Sequence, residues 1–61
     1  MTIKTKFFGE MEIDEKQIIN FVDGIPGFPE HKQYVIINDE ELGFTFMQSV
    51  DEWSLCFITL P

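Results

Sequence analysis

Apolar and polar residues alternate with a period of two over much of the chain. In residues 2–8, Ile3, Thr5 and Phe7 alternate with two lysines, which is typical of a half-buried β-strand. The alternation resumes in residues 10–13, beyond a glycine that interrupts it. The two segments therefore predict either one bent strand or a tight pair of strands.

A short polar segment follows and carries a helix-start signal. Asp14 and Gln17 stand three residues apart, which is the spacing of a capping box. Residues 18–22 after it are apolar, mostly β-branched and few in number. We expect one helical turn, or a simple turn, and then a strand through these residues.

The strongest turn signal in the chain is Ile25-Pro26-Gly27-Phe28. Pro26 presets φ at the second position and Gly27 allows a positive φ at the third, which is the pattern of a type II turn. We expect Gly24 to take a second left-handed position. The flanking residues are apolar, which is unusual for a surface loop. Ile25 and Phe28 either close one end of the fold or form an exposed hydrophobic site for a partner.

The second half of the chain predicts three more strands. They cover residues 34–37, 44–50 and 53–60, and a short helical turn is possible at residues 29–32. In residues 44–50 the alternation puts Gln48 on the face that carries Phe44 and Phe46. A buried amide must be hydrogen-bonded, so Gln48 either fixes the strands or contacts the backbone of a partner.

Five or six short strands separated by turns predict an all-β fold, a small antiparallel β-barrel-like or sandwich domain. The last predicted strand is apolar on both faces, which is typical of a strand covered on both sides. No sequence follows Pro61 to cover it. We therefore expect residues 1–61 to be a single β domain that is the N-terminal part of a longer one. Alone, the chain is expected to pair strands with another copy.

The net charge of the chain favours a protein partner over a nucleic acid. The chain has 61 residues, four lysines, no arginine and eleven acids, for a net charge of −7, and no acid precedes Glu10. A phosphate backbone would repel such a chain, so direct nucleic-acid binding is not expected. A basic protein surface would attract it, although the charge could also serve solubility alone. Apolar residues make up 44% of the chain, which excludes a disordered acidic tail.

Few residues are available for chemistry. The one cysteine, Cys56, is expected in the core, and the one histidine, His31, is expected to be a solvated loop residue. Together they supply too few ligands for zinc, so no metal, cofactor or catalytic group is predicted. No basic segment precedes an apolar one, so we expect no signal peptide, and the longest apolar run, residues 55–58, is far too short to span a membrane. These features predict a cytoplasmic protein.

Three segments of the sequence resemble the FliW family of flagellar assembly factors. They are Lys-Phe-Phe-Gly-Glu from residue 6 with Ile-Asp at 13–14, Ile-Ile-Asn-Phe running into Gly-Ile-Pro-Gly-Phe in residues 18–28, and Phe-Met-Gln-Ser-Val-Asp with Leu-Cys-Phe-Ile and the final proline in residues 46–61. The resemblance covers nearly the whole chain. Departures at Val22 and Cys56 are mild, but FliW-like proteins are longer and close a β-barrel-like domain.

The resemblance implies a bacterial cytoplasmic protein that performs no catalysis. FliW-like proteins bind flagellin as chaperone-like assembly factors, and they bind the RNA-binding regulator CsrA, which relieves repression of flagellin mRNA. Flagellin competes for FliW. The chemistry of the side chains suggests Ile25 and Phe28 for flagellin, and Glu40, Glu41, Asp51 and Glu52 for the basic CsrA. Two alternatives remain: an N-terminal fragment of an unrelated β-rich enzyme, and a self-associating acidic β module.

Overall fold

The computed structural model describes residues 1–59, and their regular elements are six strands and one short 3₁₀ helix. In chain order they are β1 (Thr2–Thr5), β2 (Gly9–Glu12), the 3₁₀ helix (Glu15–Gln17), β3 (Ile18–Asn20), β4 (Gln33–Asp39), β5 (Phe44–Ser49) and β6 (Cys56–Thr59). Strands β1 and β2 form an antiparallel hairpin, and the others form an antiparallel sheet in the order β3-β4-β5-β6. The all-β prediction is confirmed, with two sheets that do not close into a barrel within these residues.

The N-terminal segments form a tight pair of strands rather than one bent strand. The predicted first strand ends at Thr5, because its side chain holds the turn that follows. Thr5 Oγ1 donates a hydrogen bond to the Gly9 carbonyl oxygen at 2.7 Å and accepts one from the Phe8 N–H at 3.0 Å. The tip of the hairpin therefore lies at residues 6–8, where the sequence pattern predicted a continuing strand.

The capping box predicted from the sequence is present. Asp14 Oδ1 accepts a hydrogen bond from the Lys16 N–H at 3.0 Å, and Gln17 Oε1 accepts one from the Asp14 N–H at 2.8 Å. The helix is a single 3₁₀ turn, and β3 starts directly after it. Strand β3 ends at Asn20, two residues earlier than predicted, because the Phe21 carbonyl oxygen accepts a hydrogen bond that starts a turn.

The main core lies between the hairpin and one face of the four-stranded sheet. Ile3, Ile13 and Val35 are buried there, and four partly buried side chains surround them: Met11, Ile18, Ile37 and Val50. Val35 pairs with Gln48 across β4 and β5, and Ile37 pairs with Phe46, so these four residues share the covered face. The rings of Phe7, Phe8 and Phe44 surround Phe46 on the same side.

The opposite face of the sheet is covered by the long β3–β4 loop, residues 21–32. Tyr34 is fully buried on this face, and the rings of Phe21 and Phe57 lie 5.6 and 6.4 Å from its ring. Burial, together with the nearby Asp51 charge, raises the pKa of Tyr34. The loop therefore packs through aromatic contacts, and it carries the Ile-Pro-Gly-Phe turn across the sheet.

The structure limits two local predictions in this region. Residues 29–32 form one hydrogen-bonded turn and no helix: the His31 N–H donates a 3.3 Å hydrogen bond to the Phe28 carbonyl oxygen three residues earlier, and the backbone then extends into β4. Strand β6 begins at Cys56 rather than at residue 53, because the Leu55 N–H donates to the Glu52 carbonyl oxygen at 3.0 Å and closes a turn. The predicted end of this strand at residue 60 lies outside the described residues.

Candidate protein-interaction surface

The Ile-Pro-Gly-Phe turn (residues 25–28) closes as the sequence predicts. The Phe28 N–H donates to the Ile25 carbonyl oxygen at 2.9 Å, and Gly27 has a φ of +88°. Gly24 also takes a left-handed conformation, with a φ of +71°. A Cβ atom at Gly24 would lie 2.6 Å from the Cα of Pro29. The loop backbone is therefore folded tightly against itself on both sides of the turn.

Phe28 packs against the sheet and is also partly exposed to solvent. Its ring packs edge-on against the ring of Phe57 on β6, with 5.6 Å between centroids, yet 39% of the residue remains accessible to solvent. Ile25 is half-buried beside it. An aromatic side chain with a restricted position loses little conformational entropy on binding, which is a property of residues that dominate protein interfaces.

His31 connects the β3–β4 loop to the corner after β5. Its Nδ1 lies 3.2 Å from Asp51 Oδ2, and only 28% of its side chain is exposed. His31 is therefore a partly exposed loop residue, as predicted, but one whose ring pairs with Asp51. Ser49 Oγ donates to Asp51 Oδ1 at 2.9 Å and accepts a hydrogen bond from the Glu52 N–H at 3.1 Å. This network holds His31, three residues after the Ile-Pro-Gly-Phe turn, against Asp51.

Hydrogen bonds lower the pKa of the Asp51 carboxyl. Burial disfavours its ionised form, but the hydrogen bonds from Ser49 and His31 outweigh burial, so the pKa of Asp51 is lowered. A carboxyl whose pKa is lower in the folded state stabilises the fold above its unfolded pKa, and this contribution is lost as the pH falls through the lowered pKa.

We therefore expect acid unfolding of the chain to depend on Asp51. In urea titrations across the acid range, Asp51→Asn should flatten the dependence of the unfolding free energy on pH. Ser49→Ala, which removes one of the hydrogen bonds to the carboxylate, should flatten it in part. Identical pH profiles for wild type and Asp51→Asn would contradict this role of the network.

The four predicted acidic residues do not form one patch. Asp51 and Glu52 lie in the corner after β5, whereas Glu40 and Glu41 lie in the loop before it. Strand β5 has six residues, and at about 3.3 Å per residue it separates the two pairs by roughly 20 Å. The structure thus brings Asp51 into contact with His31, in the loop that also carries Ile25 and Phe28, and leaves Glu40 and Glu41 at the other end of β5.

The loop that carries Glu40 and Glu41 has a fixed backbone. Asp39 Oδ1 accepts hydrogen bonds from the Glu41 N–H at 3.0 Å and from the Leu42 N–H at 3.1 Å. The side chains of Glu40 and Glu41 are exposed. Together they form a compact negative surface that is held in place by Asp39.

Gln48 links the elements that carry these surfaces. It is fully buried, and its Oε1 accepts a hydrogen bond from the Lys6 N–H in the hairpin tip at 3.0 Å. Its Nε2 lies 3.0 Å from the carbonyl oxygens of Ser49 and Trp53 and 3.3 Å from that of Leu55. Of the two roles that the sequence left open, the contacts support the structural one.

The remaining candidate groups offer little reactivity. Cys56 is half-buried, and burial raises the pKa of its thiol, although the charge of Lys6 opposes the shift. Because the pKa is raised, little of the thiol is present as the nucleophilic thiolate. Within residues 1–59, no three His, Cys, Asp or Glu side chains are placed to hold a metal ion. The same residues contain no helix with the length and hydrophobicity needed to cross a bilayer.

These features define an acidic all-β domain with an anchored aromatic turn on one side and a charged loop at the far end of its sheet. Comparison with known proteins gives its family. The sequence model of the family described as FliW protein matches residues 2–61. The chain belongs to the FliW family, as its sequence motifs indicate.

Individual relatives agree with this assignment. The flagellar assembly factor FliW of Bacillus subtilis (strain 168) is 49% identical over 61 residues, which is 98% of this chain and 43% of the relative. That of Alkaliphilus metalliredigens (strain QYMF) is 45% identical over 60 residues, 95% of this chain and 37% of the relative. A crystal structure of the flagellar assembly factor FliW superimposes with a TM-score of 0.88 at 43% identity, covering 98% of this chain and 42% of that one. The chain spans about two fifths of the length of these relatives.

Proposed function

We propose that this chain acts in bacterial flagellar assembly as a non-enzymatic, cytoplasmic protein-binding domain. It binds flagellin through the Ile-Pro-Gly-Phe turn, and it binds CsrA through exposed acidic residues, which relieves repression of flagellin mRNA. Membership of the FliW family supports the assembly role, because the relatives carry the name flagellar assembly factor. The observation that carries the binding role is Phe28, which is anchored on Phe57 and still exposed.

The flagellin surface is proposed at the turn for a physical reason. Phe28 and Ile25 present apolar area in the same loop as His31, which pairs with Asp51, so an incoming chain meets an apolar centre with polar groups further along the loop. Such an arrangement is typical of protein interfaces, where a few anchored aromatic residues supply most of the binding free energy. The hydrogen-bonded turn has little freedom left to lose on binding.

Truncating Phe28 should weaken flagellin binding strongly. We expect Phe28→Ala to lose about 2 kcal/mol, roughly a thirtyfold increase in Kd, in calorimetric titrations with purified flagellin. Val22→Ala is the matched control, because Val22 lies in the same loop and is 83% exposed. Equal affinities of Phe28→Ala and wild type would remove the turn from the flagellin site.

The CsrA surface is proposed at the acids because CsrA binds RNA. A protein that binds RNA must carry basic residues at its RNA site, and an acidic domain docked there attracts those residues and repels phosphates. Glu40 and Glu41 are exposed on a loop that Asp39 holds in place, so they present a preformed pair of charges. Asp51 and Glu52 are the second acidic pair in this proposal.

Charge reversal at Glu40 and Glu41 tests this surface. The double variant Glu40→Lys/Glu41→Lys should weaken CsrA binding by about tenfold or more at low salt and flatten the dependence of Kd on salt. Glu15→Lys/Glu30→Lys changes the net charge by the same amount at exposed sites elsewhere and serves as the control. If both double variants lose affinity equally, net charge rather than this loop attracts CsrA.

A further inference from the structure

Tyr34 carries a buried hydroxyl group that has no hydrogen-bond partner among residues 1–59. The whole residue is buried, and its Oη atom has almost no accessible surface. No group from outside can therefore bond to this oxygen unless the atoms around it move. Buried polar atoms in folded proteins are nearly always paired, so an unpaired hydroxyl calls for a physical explanation.

The surroundings of Tyr34 offer its hydroxyl little to bond to. The rings of Phe21 and Phe57 lie 5.6 and 6.4 Å from the Tyr34 ring. Asp51, whose charge adds to burial in raising the pKa of Tyr34, already pairs with His31. A buried water needs about two to four polar partners, which an aromatic site does not supply. The hydroxyl is therefore desolvated without compensation, which destabilises the arrangement that encloses it.

The β3–β4 loop (residues 21–32), which covers Tyr34, has a backbone that bonds to itself. The Phe21 N–H donates to the Lys32 carbonyl oxygen at 2.8 Å across the base of the loop, and the Gly24 and Phe28 N–H groups donate to carbonyl oxygens inside it at 2.9 Å. In the part of the chain that the structure describes, no backbone hydrogen bond joins residues 22–31 to a strand. A compact loop of this kind, closed at its base, can move as one unit.

Side chains hold the loop on the sheet. Phe21 packs against Tyr34, Phe28 packs against Phe57, and His31 contacts the corner after β5. None of residues 21–32 is itself fully buried. Segments with few buried contacts open at a lower free energy than the core of a domain, and they do so as cooperative units.

We propose that the β3–β4 loop opens as a unit from the four-stranded sheet, and that the buried hydroxyl of Tyr34 promotes this opening. In the closed state the hydroxyl makes no hydrogen bond, whereas in the open state water bonds to it. The open state is a minor one, in which the turn that carries Phe28 has left Phe57. The hydroxyl thus sets how often Phe28 leaves its position on the sheet. This property does not depend on the proposed partners.

Hydrogen exchange of the wild-type chain in its native state, followed by NMR, tests the opening. A short turn is only marginally stable in water, so the N–H groups of Gly24 and Phe28 exchange when the loop leaves the sheet. They should share one protection factor, at least about tenfold lower than that of the Val35 N–H in the ladder between β4 and β5. If they exchange only as slowly as Val35, the loop has no open state of its own and the proposal is wrong.

Tyr34→Phe tests the role of the hydroxyl. The change removes the unpaired oxygen and keeps the ring contacts. Because water bonds to the hydroxyl in both the open and the unfolded state, the protection of Gly24, Phe28 and Val35 should rise by the same factor, about tenfold. Unchanged protection of Gly24 and Phe28 would show that their exchange does not uncover Tyr34. Lower protection would show that the hydroxyl is bonded in the closed state. Either result would overturn the proposal.

Thr5→Val is the matched control, because it removes a buried hydroxyl that is hydrogen-bonded. Thr5 Oγ1 bonds to the Gly9 carbonyl oxygen and to the Phe8 N–H in the hairpin. This variant should lower the protection of Val35, since two polar groups lose their partner. A rise in protection equal to that of Tyr34→Phe would show that the gain does not come from an unpaired hydroxyl, and would contradict the proposal.

Discussion

Replacing Gln48 with leucine is expected to unfold most of the chain at room temperature. Leucine is close to glutamine in size, so the change removes hydrogen bonds while leaving little cavity. The Lys6 N–H loses its acceptor and the Trp53 carbonyl oxygen loses a donor, whereas the Leu55 carbonyl oxygen keeps its hydrogen bond from the Ser49 N–H. Each buried polar group left without a partner costs about 1–3 kcal/mol. The total is comparable with the roughly 3–5 kcal/mol that a core of this size supplies.

Urea unfolding followed by circular dichroism measures this loss. The matched control is Gln33→Leu, because the Gln33 amide donates only to Asn20 Oδ1, at 3.1 Å on the exposed side of the sheet. That variant should stay within about 0.5 kcal/mol of wild type. A Gln48→Leu chain that unfolds at the wild-type urea concentration would show that its amide does not join the hairpin to the sheet.

Gly24→Ala is the second change with a large expected effect. The new methyl group would lie 2.6 Å from Pro29 Cα and 2.8 and 2.9 Å from the carbonyl oxygens of Pro29 and Phe28. These neighbours are backbone atoms, so the loop must move to admit the methyl group. The left-handed φ of +71° adds about 1–2 kcal/mol. We expect a loss of more than 3 kcal/mol, or a native state in which the turn has left Phe57.

Gly27→Ala distinguishes the two causes of the expected loss of stability, which are the clash with backbone atoms and the left-handed φ. Gly27 also has a positive φ, of +88°, but a Cβ there meets no atom within 4 Å. This variant should lose only the 1–2 kcal/mol or so of the left-handed conformation. Thermal unfolding gives the stability of both variants, and the ring proton shifts of Phe28 report its contact with Phe57. Equal destabilisation by the two variants would contradict the close backbone packing at Gly24.

The features that sequence predicted correctly are local ones. The capping box at Asp14 and the left-handed Gly27 follow from residues within one turn of each other, and their geometry needs no knowledge of the fold. Alternation in residues 44–50 predicted that Gln48 would share a face with Phe46, and its burial follows once that face is covered. Strand ends were less predictable, since backbone hydrogen bonds rather than side-chain pattern end β3 and delay β6.

The candidate site was predicted only in part, because its contacts are distant in sequence. The contact of His31 with Asp51 joins residues 20 positions apart, and it depends on the β3–β4 loop crossing the sheet. A lone histidine in a polar segment carries no local signal for such a contact. The separation of Glu40 and Glu41 from Asp51 and Glu52 likewise depends on which end of β5 each pair occupies, which only the strand pairing determines.

The central claim is that an anchored, exposed aromatic turn on an acidic β domain of the FliW family binds another protein. Titration of the isotope-labelled chain with unlabelled flagellin, followed by NMR, tests it most directly. The account predicts saturable shift changes concentrated in residues 21–32 and at the neighbouring Phe57 and Asp51, with Glu40 and Glu41 unaffected. The absence of saturable changes, or changes that leave the turn untouched, would contradict it.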